Sequence, residues 1–247
     1  MGIFKVIIIF NIYRMDENIL NCLAIKTSDE ILKELEPLGD FWEKHIINCS
    51  NKTIEIGTGR SKSMLYDSLL NKYFDKKSFE NKTILDIGCN SGGNMIELSK
   101  YNPKSLYGVD YSEFYLKQAK YMLDLNKIEN YSLEKYSFND NTNCEQIEKD
   151  LGKFDIIFCL GVIYHCRKKT VENIFSYLYK CGKKVIMSSH TFNSPLRANV
   201  DWDISVSSIR NMALEAGFSD INNIEINDET NYAKNGKTNN FYFECIH

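Results

Sequence analysis

A chain of 247 residues with 43% hydrophobic and 26% charged residues can bury a large core and lacks the apolar depletion of a disordered protein. Its formal net charge of −3 excludes a global positive field that would gather nucleic acid or an anionic membrane, and leaves room only for a local basic patch. The 8 cysteines form no Cys-x-x-Cys pair and no Cys/His zinc spacing, which argues against a metal site and favours reduced thiols in a cytoplasmic protein.

The first apolar run, "IFKVIIIF", contains Lys5, has no basic region ahead of it and no small-residue cleavage site behind it, and is too short to cross a bilayer. It is read as an edge strand or an extension. Met15 opens "MDENIL" as an alternative start, which would make residues 1–14 dispensable. From Ser28 to Ile47, "SDEILKELEPLGDFWEKHII" has helical periodicity broken near Pro37 and Gly39 and predicts two helices or a kinked pair. In "EIGTGRSKSMLYDSLLNKYF" a glycine-rich turn precedes a predicted helix with Met64, Leu65, Leu69, Leu70, Tyr73 and Phe74 on one face and Ser61 or Ser63 as N-cap. Residues 1–80 therefore form a mostly helical N-terminal extension, and 81–247 a second, principal domain.

From Lys82 onward, apolar runs alternate with amphipathic stretches. Strands are predicted at Thr83 to Ile87, Ser105 to Asp110, Tyr131 to Tyr136, Phe154 to Leu160 and Lys184 to Ser189. Helices are predicted from Gly93 to Lys100, Ser112 to Leu125, Cys144 to Asp150 and Thr170 to Tyr179. This alternation predicts an α/β fold, a doubly wound and mostly parallel sheet with helices on both faces and ligands at the carboxyl ends of its strands. The tail changes rhythm: a helix from Val206 to Ala216 stops at Gly217, and "DINNIEIN" and "NNFYFECIH" predict an antiparallel strand pair that closes the sheet.

The chemistry concentrates at the strand ends. "ILDIGCNSGGN" sets Asp86, Gly88 and Gly92 in a turn between a buried strand and a helix, where glycine permits a close approach of backbone to ligand and the helix start offers free N–H groups. Asn90 occupies a position that a dinucleotide fingerprint would fill with glycine, which argues against a dehydrogenase. Asp110 ends the second strand of the principal domain, where a carboxylate can accept the hydroxyls of a ribose. A tight strand-helix connection alone would also account for the glycines.

The runs "TILDIGCNSGG", "LYGVDYS", "FDIIFCLGVIYH" and "IRNMALEAGF", with the terminal strand pair, resemble class I S-adenosylmethionine-dependent methyltransferases over Asn81 to His247. The resemblance implies a seven-stranded doubly wound sheet with its last strand antiparallel, and S-adenosylmethionine as cofactor. It further implies that Asp86, Gly88, Asn90 and Gly92 serve the methionine part and Asp110 the ribose. Tyr111 and Leu160 border the same cofactor site, and Phe138 and Asn139 lie near the adenine. "SKSMLYDSLL" together with "LGVIYH" is similar to the group that includes wobble-uridine tRNA carboxymethyltransferases, which use a carboxylated cofactor held by extra cationic and aromatic side chains. This chain carries Lys62 but no tryptophan in that helix, and plain S-adenosylmethionine is the expected cofactor.

Methyl transfer from a sulfonium is an in-line displacement, and a hydroxyl or ammonium acceptor must also lose a proton. His165, after the strand Phe154 to Leu160, and His190, in "SSHTF", are the candidate bases on the rim, with Tyr164 as an aromatic neighbour of the sulfonium. His165 is read first as a pocket wall and second as the base. Arg60 and Lys62 in "GTGRSKS", and Arg167 with Lys168, stand where they could clamp an anionic acceptor or simply be solvated. The expected activity is methyl transfer to an oxygen or nitrogen of a small polar metabolite, such as a sugar or phosphorylated compound. A tRNA acceptor and a non-catalytic cofactor-binding protein are the alternatives, and no membrane partner is expected.

Overall fold

The computed structural model describes residues 26–58, 76–191, 201–219, 221–224 and 237–244, with side chains over 26–58, 77–189 and 201–219. Five strands run parallel in the order β5 (Tyr131–Lys135), β4 (Ser105–Asp110), β3 (Thr83–Ile87), β6 (Phe154–Leu160) and β7 (Gly182–Thr191). Beyond β7, β9 (Lys237–Glu244) pairs antiparallel with β7, and β8 (Ile221–Ile224) pairs antiparallel with β9.

The interior strands read as near-continuous apolar runs because both of their faces are covered. On one face, α4 (Cys144–Leu151), α5 (Lys168–Cys181) and α6 (Val206–Ala216) bury Ile147, Val171, Ile174, Phe175, Leu178, Ile209 and Met212 against Ile157, Val185 and Met187. Each large aliphatic or aromatic side chain so buried contributes roughly 1.5–3 kcal/mol. On the other face, α2 (Gly93–Ser99) and α3 (Glu113–Leu125) bury Met95, Leu98 and Leu123 against Ile84, Leu106, Ile156 and Phe158. Local signals place the helix ends. Ser112 Oγ accepts the Tyr115 N–H ahead of α3, and Gly217, at φ 114°, ends α6 in the left-handed region.

The N-terminal region differs from the helical expectation. Helix α1 (Ser28–Leu35), with Thr27 and Glu30 forming a capping box, ends in a short 3-10 turn at Glu36–Leu38 that contains Pro37. The end of the expected helical stretch, from His45, is instead β1 (His45–Asn48), paired antiparallel with β2 (Thr53–Ile56). Burial there alternates with period two: Phe41, Glu43, His45 and Ile47 point inward, while Trp42 and Ile46 are exposed. Helix α1 and the hairpin bury Ile31, Leu35, Phe41, Ile54 and Ile56 with Met122 of α3.

The expected helix around Met64 to Phe74, its Ser61 or Ser63 cap, and the segment around "IFKVIIIF" and Met15 lie outside the described residues. Among the described helices none is long and apolar enough to cross a membrane. The described cysteines Cys49, Cys89, Cys144, Cys159, Cys166 and Cys181 are free thiols.

Candidate functional site

Strand order reverses between β3 and β6, because β4 and β5 lie on one side of β3 and β6 and β7 on the other. The crevice this opens at the carboxyl ends of the strands is where such sheets bind ligands. A cleft of about 640 Å³ occupies it. Its floor is the ends of three strands and the turns that follow them: Ile87 at the end of β3 and Gly88 after it, Val109 and Asp110 at the end of β4, and Gly161 and Val162 after β6. Its walls are largely aromatic, from Trp42, Tyr111, Tyr115, Tyr136, Phe138 and Tyr164, with His165 and Cys166 beyond them.

The glycine turn is held from β4. Gly88 and Cys89 donate their N–H groups to Val109 O at 2.8 and 3.0 Å, and Asn90 N donates to Asp110 Oδ2 at 3.1 Å. Gly88, at φ 73°, packs so closely on Val162 that an added Cβ would lie 2.5 Å from Val162 Cγ2. A side chain at residue 88 would therefore be strained and would crowd the neighbouring turn.

Asp110 also accepts the Ser112 N–H on Oδ1 at 2.9 Å. Burial raises its pKa, the Ser112 and Asn90 N–H groups oppose the rise, and nearby Glu43 adds to it. A carboxylate offers about four acceptor positions; the Ser112 and Asn90 N–H groups take two and the Tyr111 N–H also bears on it, which leaves acceptor capacity for a hydroxyl at the cleft. That capacity, beside a flat aromatic wall, fits a nucleoside with its ribose on Asp110.

The cleft brings together Gly88, Asn90, Asp110, Tyr111, Phe138, Tyr164 and His165 of the sequence-predicted residues. Tyr164 and His165 sit in a 3-10 turn, Ile163–His165, with ring centroids 4.1 Å apart, and His165 N donates to Val162 O. Asp86 is buried behind the turn and accepts the Asn94 side-chain amide at 3.1 Å. Gly92 is the N-cap of α2 and packs on Ala119. Leu160 is buried in the core with Ile84 and Ile156.

Asn139 is occupied outside the cleft: its Oδ1 accepts the Asn141 N–H at 3.0 Å in an exposed turn. Arg167 does not point a free charge at the cleft. Its Nη1 lies 3.0 Å from Asp140 Oδ2 and its Nε 3.8 Å from Asp201 Oδ2. His190 lies on β7 opposite Thr238, with its side chain outside the described residues, as are Arg60 and Lys62 altogether. Cys166 is no nucleophile at neutral pH, because burial pushes its thiol up to about 11.

Several residues escape the sequence reading. Trp42, 57% exposed, closes one side of the cleft from the N-terminal region, and Tyr115 and Tyr136 complete the aromatic wall. Behind the turn, Glu43 Oε2 accepts from Ser91 Oγ and Gly93 N, both at 2.9 Å. The first turn of α2 thus does not present the Gly93 N–H to a ligand, contrary to the expectation of free groups there.

A model described as "Methyltransferase domain" matches residues 78–232, more than half of the chain. The chain is 27% identical over 216 residues to tRNA U34 carboxymethyltransferase of Helicobacter acinonychis (strain Sheeba), covering 81% of this chain and 76% of that protein. It is 29% identical over 174 residues to the enzyme of the same name from Helicobacter pylori (strain P12), of which the match spans only 60%, less than two thirds of its length. Among solved structures, the N-terminal domain of EvdMO1 in the presence of SAH and D-fucose superposes with TM-score 0.66 at 16% identity, covering 90% of this chain and 99% of that one. A putative S-adenosylmethionine-dependent methyltransferase from Listeria monocytogenes gives 0.56 at 17% identity, covering 76% and 99%. At those identities the likeness is one of fold. With Asp110 and all of the aromatic wall but Trp42 falling within the matched stretch, the protein belongs to the methyltransferase-domain family as an S-adenosylmethionine-dependent methyltransferase of Rossmann-like fold.

Proposed function

We propose that the chain methylates an oxygen or nitrogen of a small, uncharged polar acceptor, such as a sugar. The observation that carries this reading is the makeup of the cleft: aromatic walls and a histidine, with Arg167, the described arginine next in sequence to lining residue Cys166, engaged by Asp140 and Asp201. Aromatic faces suit the apolar C–H faces of a sugar and the positive sulfonium alike. A phosphorylated acceptor finds no unengaged cation among the described lining residues.

S-adenosylmethionine supplies the electrophilic methyl group when bound. Asp110 would accept a ribose hydroxyl with its remaining acceptor capacity, while Gly88 and Asn90 would shape the floor beneath the methionine part. Tyr111 and Phe138 would flank the adenine, and Asp86, Gly92, Leu160 and Asn139 would support the site from behind or beside it. His165 takes the proton that the acceptor loses, and Tyr164 walls the approach.

A second reading, transfer to tRNA, is supported by the printed names of the curated relatives. Against it stands the net charge of −3, since binding a phosphate backbone draws on several Lys/Arg contacts. Incubating the protein with methyl-labelled S-adenosylmethionine and, separately, a metabolite extract or total tRNA distinguishes the two. Label is expected in the small-molecule fraction. Label in tRNA alone would establish the second reading.

A further inference from the structure

A buried carboxylate and a buried imidazole stand behind the glycine turn, and neither lines the cleft. Glu43 and His45 are 4% and 5% exposed and come from the N-terminal region, on the inward face of the segment that enters β1. His45 Nε2 lies 2.8 Å from Ser91 Oγ, which lies 2.9 Å from Glu43 Oε2. An ionised carboxylate only accepts, so the Ser91 hydroxyl donates to Glu43 and receives the Nε2–H of His45. Glu43 Oε2 also accepts the Gly93 N–H at 2.9 Å. Since Gly92, the N-cap of α2, has no side chain to cap it, Glu43 supplies the missing acceptor from a distant segment.

The same segment is anchored on α3. Buried Gln118 donates through Nε2 to Leu38 O at 2.9 Å and Asp40 O at 3.0 Å, and Tyr121 Oη donates to Glu34 Oε2 at 2.9 Å. Gly57, at φ 87°, lets the chain leaving β2 pass against Glu43, where an added Cβ would lie 1.8 Å from Glu43 O. The N-terminal segment therefore grips the back of the turn whose front, at Gly88 and Asn90, lines the cleft.

We propose that Glu43 is a positioning residue for cofactor binding, and that docking of the N-terminal hairpin and occupancy of the cofactor cleft are thermodynamically linked through Ser91 and Gly93. Linkage is reciprocal: if the docked hairpin tightens the cofactor site, cofactor tightens the hairpin by the same factor. The proposal rests on cofactor binding alone and is indifferent to the acceptor.

The test measures S-adenosylhomocysteine affinity by calorimetry in the full chain and in Glu43→Ala, Glu43→Gln and Ser91→Ala, with amide hydrogen exchange of residues 45–56 followed with and without ligand. Glu43→Ala is expected to weaken binding about tenfold, the scale of one charge-assisted hydrogen bond. Glu43→Gln, which keeps an acceptor for Gly93 N, is expected to recover most of that affinity, within about threefold of the parent. Ligand is expected to slow exchange across the hairpin in the parent chain and to slow it much less in Glu43→Ala. Parent-like affinity in folded Glu43→Ala, or hairpin exchange indifferent to ligand in the parent, overturns the proposal. Should Glu43→Ala not fold, unchanged affinity in Ser91→Ala overturns it equally, and a fall that Glu43→Gln does not share supports it.

Discussion

Asp110 Oδ2 accepts the backbone N–H of Asn90 at 3.1 Å, which makes the acid ending β4 and the tip of the glycine turn one structural unit. In the proposed role of Asp110, removing the carboxylate has two consequences for cofactor: the ribose loses an acceptor and the turn loses an anchor. Asp110→Ala is expected to weaken S-adenosylhomocysteine binding by about a hundredfold, the scale of losing two hydrogen bonds to a charged group. Calorimetry on the folded variant checks it, and a loss below threefold would remove Asp110 from the cofactor site.

The same residue sets a pH dependence. Burial raises the Asp110 pKa above its ordinary 3.8 even though the Ser112 and Asn90 N–H groups oppose the rise. The charged form is the better acceptor, so affinity is full at neutral pH and falls on acidification, beginning at a higher pH than an ordinary aspartate would give. Asp110→Asn, which has no proton to gain, is expected to bind weakly and with a flatter pH profile over the acid range. Titrating affinity in both proteins decides the matter.

Asp155 is a purely structural counterpart at the opposite end of the strands. Burial pushes its carboxyl up, but the Lys183 ammonium and both the N–H and hydroxyl of Thr83 outweigh that and bring it down to about 2. These bonds join the starts of β3, β6 and β7. Because the folded pKa lies below the unfolded one, the stabilisation is complete above the ordinary value of about 4 and is lost as pH falls through about 2. Asp155→Asn is expected to cost roughly 2 kcal/mol at neutral pH and almost nothing at the acid limit, as read from urea unfolding. A cost independent of pH would show that the carboxylate's charge is not the source.

The strand-helix rhythm was legible because burial on both faces turns interior strands into apolar runs, and "FDIIFCL" is β6 to the residue. Legibility failed where polar side chains face inward. In "FWEKHII", Glu43 and His45 occupy the buried side and Trp42 and Ile46 the exposed side, so polarity and burial run opposite to each other. Apolar residues at Leu35, Leu38 and Phe41 extend the helical period into that stretch and mask its period-two alternation. At the site, Gly88 and Asp110 were readable because backbone geometry and charge restrict the residue type. Tyr115 and Tyr136 were not, since an aromatic in a helix or after a strand looks the same whether it faces core or cleft.

Arg167 offers a direct test of the acceptor's charge. Its guanidinium is shared by Asp140 and Asp201, and its side chain is 63% exposed. Exposed pairs of this kind contribute less than about 1 kcal/mol. Arg167→Ala is expected to leave both cofactor affinity and the acceptor KM within about twofold of the parent. A KM raised tenfold or more with unchanged kcat would instead assign Arg167 to binding an anionic acceptor.

His165 separates wall from base by kinetics. It lines the cleft beside Tyr164, with the rings 4.1 Å apart, on a turn fixed by its own N–H to Val162 O. Removing a general base costs about a hundredfold or more in kcat and leaves cofactor binding intact, whereas removing a wall residue acts mainly on KM. His165→Ala is expected to lower kcat by at least about a hundredfold with S-adenosylhomocysteine affinity unchanged. In the parent, kcat/KM should fall on acidification, because a protonated base cannot accept another proton. His165→Ala should abolish that limb of the profile. A variant that keeps kcat, raises KM and retains the acid limb would return His165 to the wall and leave proton removal to another group.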